Sequence, residues 1–324
     1  MTVPLWMWLA SVAGIVTLIS VDLWQSRRPH EVGFREAAVW SAVYVAAALL
    51  FGAGVLLTSG TQAGVQFFSG YLVEKSLSID NLFVFAVVLA QFGVPARHQA
   101  RVLMIGVLGA LVLRGAFIAV GAAAVQRYAI TFLFFGAFLI FTGVRLFRSH
   151  GEQPDIRNSR PIRLLRRIVP MTDDSSSGRL LQRAGGRWKA TPVLLATAAI
   201  LAVDIVFALD SIPAIFGITD NAYLVFTTNA FALLGLRALY FLMIGLLDRL
   251  VYLHYGLAIL LGFIGVKLVL HYLHTVWAAV PAIPLPLSMA VIVATLTATT
   301  VASLLRSRTT TSDPAKSPVT TDAG

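Results

Sequence analysis

Long apolar stretches broken by short polar turns dominate this chain. They run over about 5–23, 37–57, 65–89, 102–122, 129–147, 192–216, 224–247, 255–272 and 285–305. Each is about the length a helix needs to cross the hydrocarbon core of a bilayer. With no water there, backbone polar groups must be satisfied within the segment, which favours helices. The pattern therefore predicts an all-α fold, a polytopic transmembrane helical bundle of about nine spans. The first run lacks a basic leader and ends at Asp22 and Arg27-Arg28, not at a small-residue cleavage site. It reads as a retained span.

Composition agrees. Of 324 residues, 58% are hydrophobic and 12% charged, with mean hydropathy +0.82. A soluble domain carries about 25% charged residues. The net charge of +10 does not point to nucleic acid, because the arginines gather in loops on one side. Basic residues follow spans 1, 3, 5, 7 and 9 and are scarce after the others. The positive-inside rule then puts the N-terminus outside and the C-terminus in the cytoplasm. The one long polar stretch, 148–190, is a basic cytoplasmic loop, expected to be flexible and to touch anionic lipid or an acidic protein. The tail from 306 is Thr-, Ser- and Pro-rich and reads as disordered. Cysteine is absent, which disfavours soft-metal chemistry.

The apolar runs are not wholly apolar. Span 3 holds Glu74-Lys-Ser-Leu-Ser-Ile-Asp80-Asn81, and span 6 holds Asp204-Ile-Val-Phe-Ala-Leu-Asp210-Ser211-Ile-Pro213. In each, an acid is followed six residues later by Asp and then by Asn or Ser. An ionised carboxylate at bilayer depth costs roughly 2.5–3.5 kcal/mol on insertion scales, so these residues are functional candidates by default. Spans 4 and 7 add Leu-Arg114-Gly and Leu-Arg237-Ala. The two units begin three spans apart and must cross in opposite directions, the sign of an inverted repeat. Spans 3–5 (63–147) form one repeat and spans 6–8 (191–275) the other. Spans 1 and 2 (1–62) and span 9 (276–305) are peripheral.

Six residues of helix is about 9 Å of rise and about 120° of rotation, so the two acids of a motif do not share a face of a straight helix. Pro213 leaves the carbonyl of Leu209 without its donor, which predicts a kinked or unwound span 6. Four carboxylates against Arg114 and Arg237 suit one divalent cation provided that Lys75 and Lys267 point elsewhere; Lys267, deeper in its span, is the further candidate for balancing an acid. The candidate metal ligands are Glu74, Asp80, Asn81, Asp204, Asp210, Ser211 and Asn229. Their oxygen-rich set suits Mn²⁺, Mg²⁺ or Ca²⁺. Asp22 and Asp248, at span ends, read as exposed interfacial carboxylates, and His271 and His274 as interfacial residues. No phosphate-binding glycine loop and no Gly-x-Gly-Asp motif is present, so neither an ATP-driven pump nor an intramembrane aspartyl hydrolase is expected, nor a prosthetic group.

These two acidic motifs, with Thr228-Asn229-Ala and Leu-Gly-Leu-Arg237-Ala-Leu-Tyr, resemble the TerC/Alx family of bacterial inner-membrane proteins. Arg28-Pro29-His30-Glu31 resembles that family's first loop. The resemblance covers roughly residues 15–275. It implies a LysE-like metal-ion transporter, linked to tellurite resistance and manganese export, with Glu74, Asp80, Asn81, Asp204, Asp210 and Ser211 on the acidic motifs. Asn229 and Arg237 fall on the later one. The alternative is a membrane scaffold of a stress-resistance complex without transport activity.

Overall fold

A computed structural model describes residues 3–25, 32–148, 163, 180–184, 187–244, 252–277, 279–281 and 283–311. The chain order is α1 (Leu5–Gln25), α2 (Phe34–Ser59), α3 (Thr61–Gln91), α4 (Ala96–Arg127) and α5 (Ile130–Arg148). After the basic loop come β1 (Leu181–Ala184), β2 (Arg187–Ala190), α6 (Pro192–Phe216), α7 (Ala222–Leu233), α8 (Leu236–Met243), α9 (Leu253–Val276) and α10 (Leu285–Thr311).

Among the described residues, seven helices are long and apolar enough to cross a membrane, and α7 with α8, bent by 43°, makes an eighth. The remaining long helix, α3, carries Glu74, Lys75 and Asp80 and is not among them. It has 31 residues, about 46 Å of rise at 1.5 Å each. Short turns join it to the long apolar helices α2 and α4. The outer surface is apolar: Leu57, Leu50 and Val112 are 84%, 74% and 74% exposed. Only a lipid surround makes such a surface tolerable.

Small residues set the closest helix contacts. Where α5 meets α9, a Cβ on Gly136 would lie 2.7 Å from the Gly265 carbonyl oxygen, and one on Gly143 would lie 2.8 Å from that of Ala258. The helices α1 and α2 pack against α7 and α8, with Ser11 Oγ and Tyr223 OH 2.7 Å apart.

Three local expectations are corrected. The interruption falls in span 7, not span 6. Helix α6 runs unbroken through Pro213 to Phe216, because the proline stands in its last turn. The break comes at Leu234-Gly235, where Gly235 adopts φ +77°, a left-handed conformation that glycine takes without the cost a Cβ brings. The basic loop is not all linker, since it ends in a two-stranded antiparallel hairpin pairing Arg183 with Trp188 just before α6. The last helix continues past Leu305 to Thr311, into the segment expected to be disordered. The Arg28-Pro29-His30-Glu31 loop, Asp248 and most of 148–190 lie outside the described residues.

Candidate functional site

At the centre of the bundle stands Arg114, fully buried on α4. Its guanidinium forks between the two acidic motifs. Nε and Nη2 donate to Asp204 Oδ2 and Oδ1 at 3.1 and 2.9 Å. Nη1 donates to Glu74 Oε1 and, at 3.2 Å, to Ser211 Oγ. Glu74 is 0% and Asp204 1% exposed. A planar fork with several donors suits this task better than an ammonium would.

Helix geometry explains which residues join. Asp204 and Ser211 are seven apart, two turns, and share a face of α6. Asp210, a residue short of that, is turned away, as the six-residue spacing requires. It lies towards Thr142 and Arg145, both on α5. Helix α4 lies close enough for Arg114 to reach because α4 brings glycine to the contact: a Cβ on Gly109 would overlap Leu201, and one on Gly106 Ile200.

The cluster is not balanced. Two carboxylates share one guanidinium, and Glu74 Oε2 is buried with no hydrogen-bond partner. Ser78 Oγ, one turn further along α3, is buried and likewise without a partner, as are both amide atoms of Asn229 on α7. Unsatisfied buried polar atoms are rare in native proteins and call for water or an ion. The oxygens of Glu74, Asp204 and Ser211 fit a hard cation by their chemistry. No group of three or more His, Asp or Glu side chains with metal-binding geometry exists among the described residues, so Arg114 holds these oxygens in an arrangement that a metal would have to remake.

The other candidates lie elsewhere. Asn81 is buried on α3, and the side chain of Asp80 lies outside the described residues. Arg237 does not face the motif acids. Its Nε and Nη2 donate to Asp22 Oδ1 at 3.0 and 2.6 Å. Asp22 is therefore buried against α8 rather than exposed at an interface, because the break turns Arg237 towards α1. Lys267 is likewise remote from Arg114 and lines a separate polar pocket with Asp220 and His271. Lys75, which sequence reasoning set aside, donates from Nζ to Ala232 O at 3.1 Å and Leu234 O at 3.4 Å. It satisfies carbonyls freed by the α7–α8 break. The signal for that break was Gly235 in an otherwise helix-forming run.

This is a polytopic all-α membrane protein with an internal ion cluster joining two acidic helices. The chain belongs to the TerC family: the family model "Integral membrane protein TerC family" matches residues 59–311. An uncharacterized membrane protein of Myxococcus xanthus is 41% identical over 305 residues, covering 93% of each chain. Another from Mycobacterium tuberculosis is 44% identical over 272 residues, 82% of this chain and 68% of the relative. Alx of Escherichia coli, provisionally named a membrane-bound redox modulator, is 40% identical over 274 residues, 82% of this chain and 85% of the relative. No solved structure matches the chain.

Proposed function

We propose that the chain is a membrane transporter exporting a hard divalent cation, Mn²⁺ by family resemblance among the cations an all-oxygen donor set suits, by alternating access. The observation that carries the reading is the meeting of Glu74 and Asp204, matching acids of the two motifs, on one buried guanidinium. Arg114 acts as the internal counter-ion of the empty carrier. The incoming cation takes over the carboxylates, and the guanidinium swings off them. Loading and unloading then exchange one set of charges for another and never leave bare carboxylates in the bilayer. The unpaired Glu74 Oε2 is where the cation first docks.

The pairing of helices supports two inverted halves. Helix α3 packs on α7 and α4 on α6, and these contacts exchange when the units α3–α5 and α6–α9 are swapped. The α5–α9 contact maps onto itself. By loop charge, the N-terminus is outside and the basic loop cytoplasmic. The provisional name of Alx, together with the family's phenotype, supports a role in metal or redox stress.

The test is cell-associated manganese in a strain lacking its own exporters and loaded with Mn²⁺. The parent chain should lower it several-fold, whereas E74Q and D204N should not. Full export by both variants would sink the assignment.

A further inference from the structure

Above the Arg114 cluster, two helices keep a matched register. On α3, Gln66, Gly70 and Glu74 follow at four-residue steps. On α6, running the other way, Thr219, just beyond its end, Ile215 and Ser211 do the same. Residues so spaced are neighbours along a helix ridge. They meet pair by pair. Thr219 Oγ1 donates to Gln66 Oε1 at 3.0 Å. A Cβ on Gly70 would lie 3.5 Å from Ile215 Cγ2 and 2.9 Å from Thr228 Cγ2. Glu74 and Ser211 both receive from Arg114.

The seam opens at its upper end into a polar cavity of about 310 Å³ lined by Gln62, Gln66, Thr219, Asp220, Lys267 and His271. Exposure falls steadily along α3. Gln62 is exposed, Gln66 half-buried, and Gly70 and Glu74 buried. Ser78 continues the row at the next four-residue step, with its buried, unpartnered hydroxyl. Only one layer along the seam is apolar, that of Ile215 and the Thr228 methyl, both 0% exposed.

We propose that this α3–α6 seam is the route by which the cation leaves the Glu74 site. The cavity is its release vestibule, and Ile215 with Thr228 is the plug that closes the route. The vestibule opens on the face opposite the basic loop, where α3 begins and α6 ends. It offers amide, hydroxyl, carboxylate and imidazole donors to a divalent cation, yet Lys267 shares the wall. The Asp220 and Lys267 charges offset one another, so the cavity passes a dication on rather than trapping it. Glycine at position 70 leaves the plug to two side chains, and their rotation or retreat is enough to open the row. The route rests on the export reading given above.

The chain has no cysteine, so single cysteines report access cleanly. A membrane-impermeant maleimide applied to intact cells should label Q62C and Q66C, and leave S211C, one turn below the plug on α6, unlabelled. Adding I215A to S211C should raise its labelling at least tenfold, and external Mn²⁺ should slow it again. Labelling of Q62C at parental rates in I215A checks that the variant folds. If I215A fails to accumulate, T228S removes only the methyl at the plug and keeps the hydroxyl, which donates to Leu224 O. Q66C reactive only from the cytoplasmic side, or S211C unchanged by opening the plug, would overturn the route. Labelling needs no transport, so a failure of the export reading would appear separately, as unaltered metal accumulation in E74Q and D204N with the access pattern intact.

Discussion

Arg114 and Arg237 stand in matching sequence motifs, each between a leucine and a small residue, yet they are held in opposite ways. Arg114 lies in an unbroken helix and is shared by two carboxylates from different motifs. Arg237 follows a break by two residues and, among the described residues, pairs with Asp22 of the first helix. That helix lies outside the segment matched by the family model. A charge inside a membrane must find a partner, but the motif does not choose which one. A left-handed glycine two residues upstream is enough to turn the second arginine from the centre to the periphery. Among the described residues, the central cluster sets two carboxylates against one guanidinium, whereas the second joins Arg237 to Asp22 of the first helix.

The largest effect should come from R114M. It leaves Glu74 and Asp204 buried without a counter-ion, and removing one partner of a buried pair costs about 3–5 kcal/mol. We expect little folded protein, measured by size-exclusion yield in detergent. Adding E74Q and D204N together should restore the yield without restoring export, because the charges vanish along with the site. R237M should cost less, about 2–3 kcal/mol, since it strands a single carboxylate that is partly accessible. R237M/D22N should regain most of that stability and keep export near parental levels. Loss of export in the stable double variant would erase the distinction between site and tie.

Next in size is G235A. Holding a residue with a Cβ in the left-handed region costs about 1–2 kcal/mol. The new methyl also meets Tyr44 Cδ2 at 2.6 Å. A fall in melting temperature, together with a weaker response to R237M in the same background, would show that the break positions the second arginine.

Much of this was open to reading from the sequence. The apolar runs locate the long helices, and the six-residue spacing says that Asp204 and Asp210 face apart. The side each one faces was not legible, because a helix with lipid on one flank and protein on the other is apolar on both. Nothing in the letters tells Asp210 to turn towards Thr142, or Asp22 towards Arg237. Pro213 misled because a lost donor does not by itself force a break: it leaves the Leu209 carbonyl without its helical partner, yet the helix runs on through the proline to Phe216. Lys75 was set aside as a charge to be pointed elsewhere, and its two carbonyl acceptors exist only because α7 stops. The hairpin at 181–190 is too short to carry a period of its own.

The smallest expected effect sharpens the contrast most cleanly. Gly115 follows Arg114, but α4 is regular there, and a Cβ at that position would find its nearest neighbour, Phe226 Cε2, at an ordinary 3.8 Å. Alanine should therefore be accepted. By relieving the entropic cost of glycine in a helix interior, G115A should raise stability by up to about 1 kcal/mol. Both this change and G235A add a single methyl close to a motif arginine, so opposite signs would set the left-handed backbone and Tyr44 contact at Gly235 against the regular, open helix at Gly115. If G115A instead lowers the melting temperature as far as G235A does, the helix around Arg114 must itself open in some part of the cycle. The two arginines would then differ in timing rather than in kind.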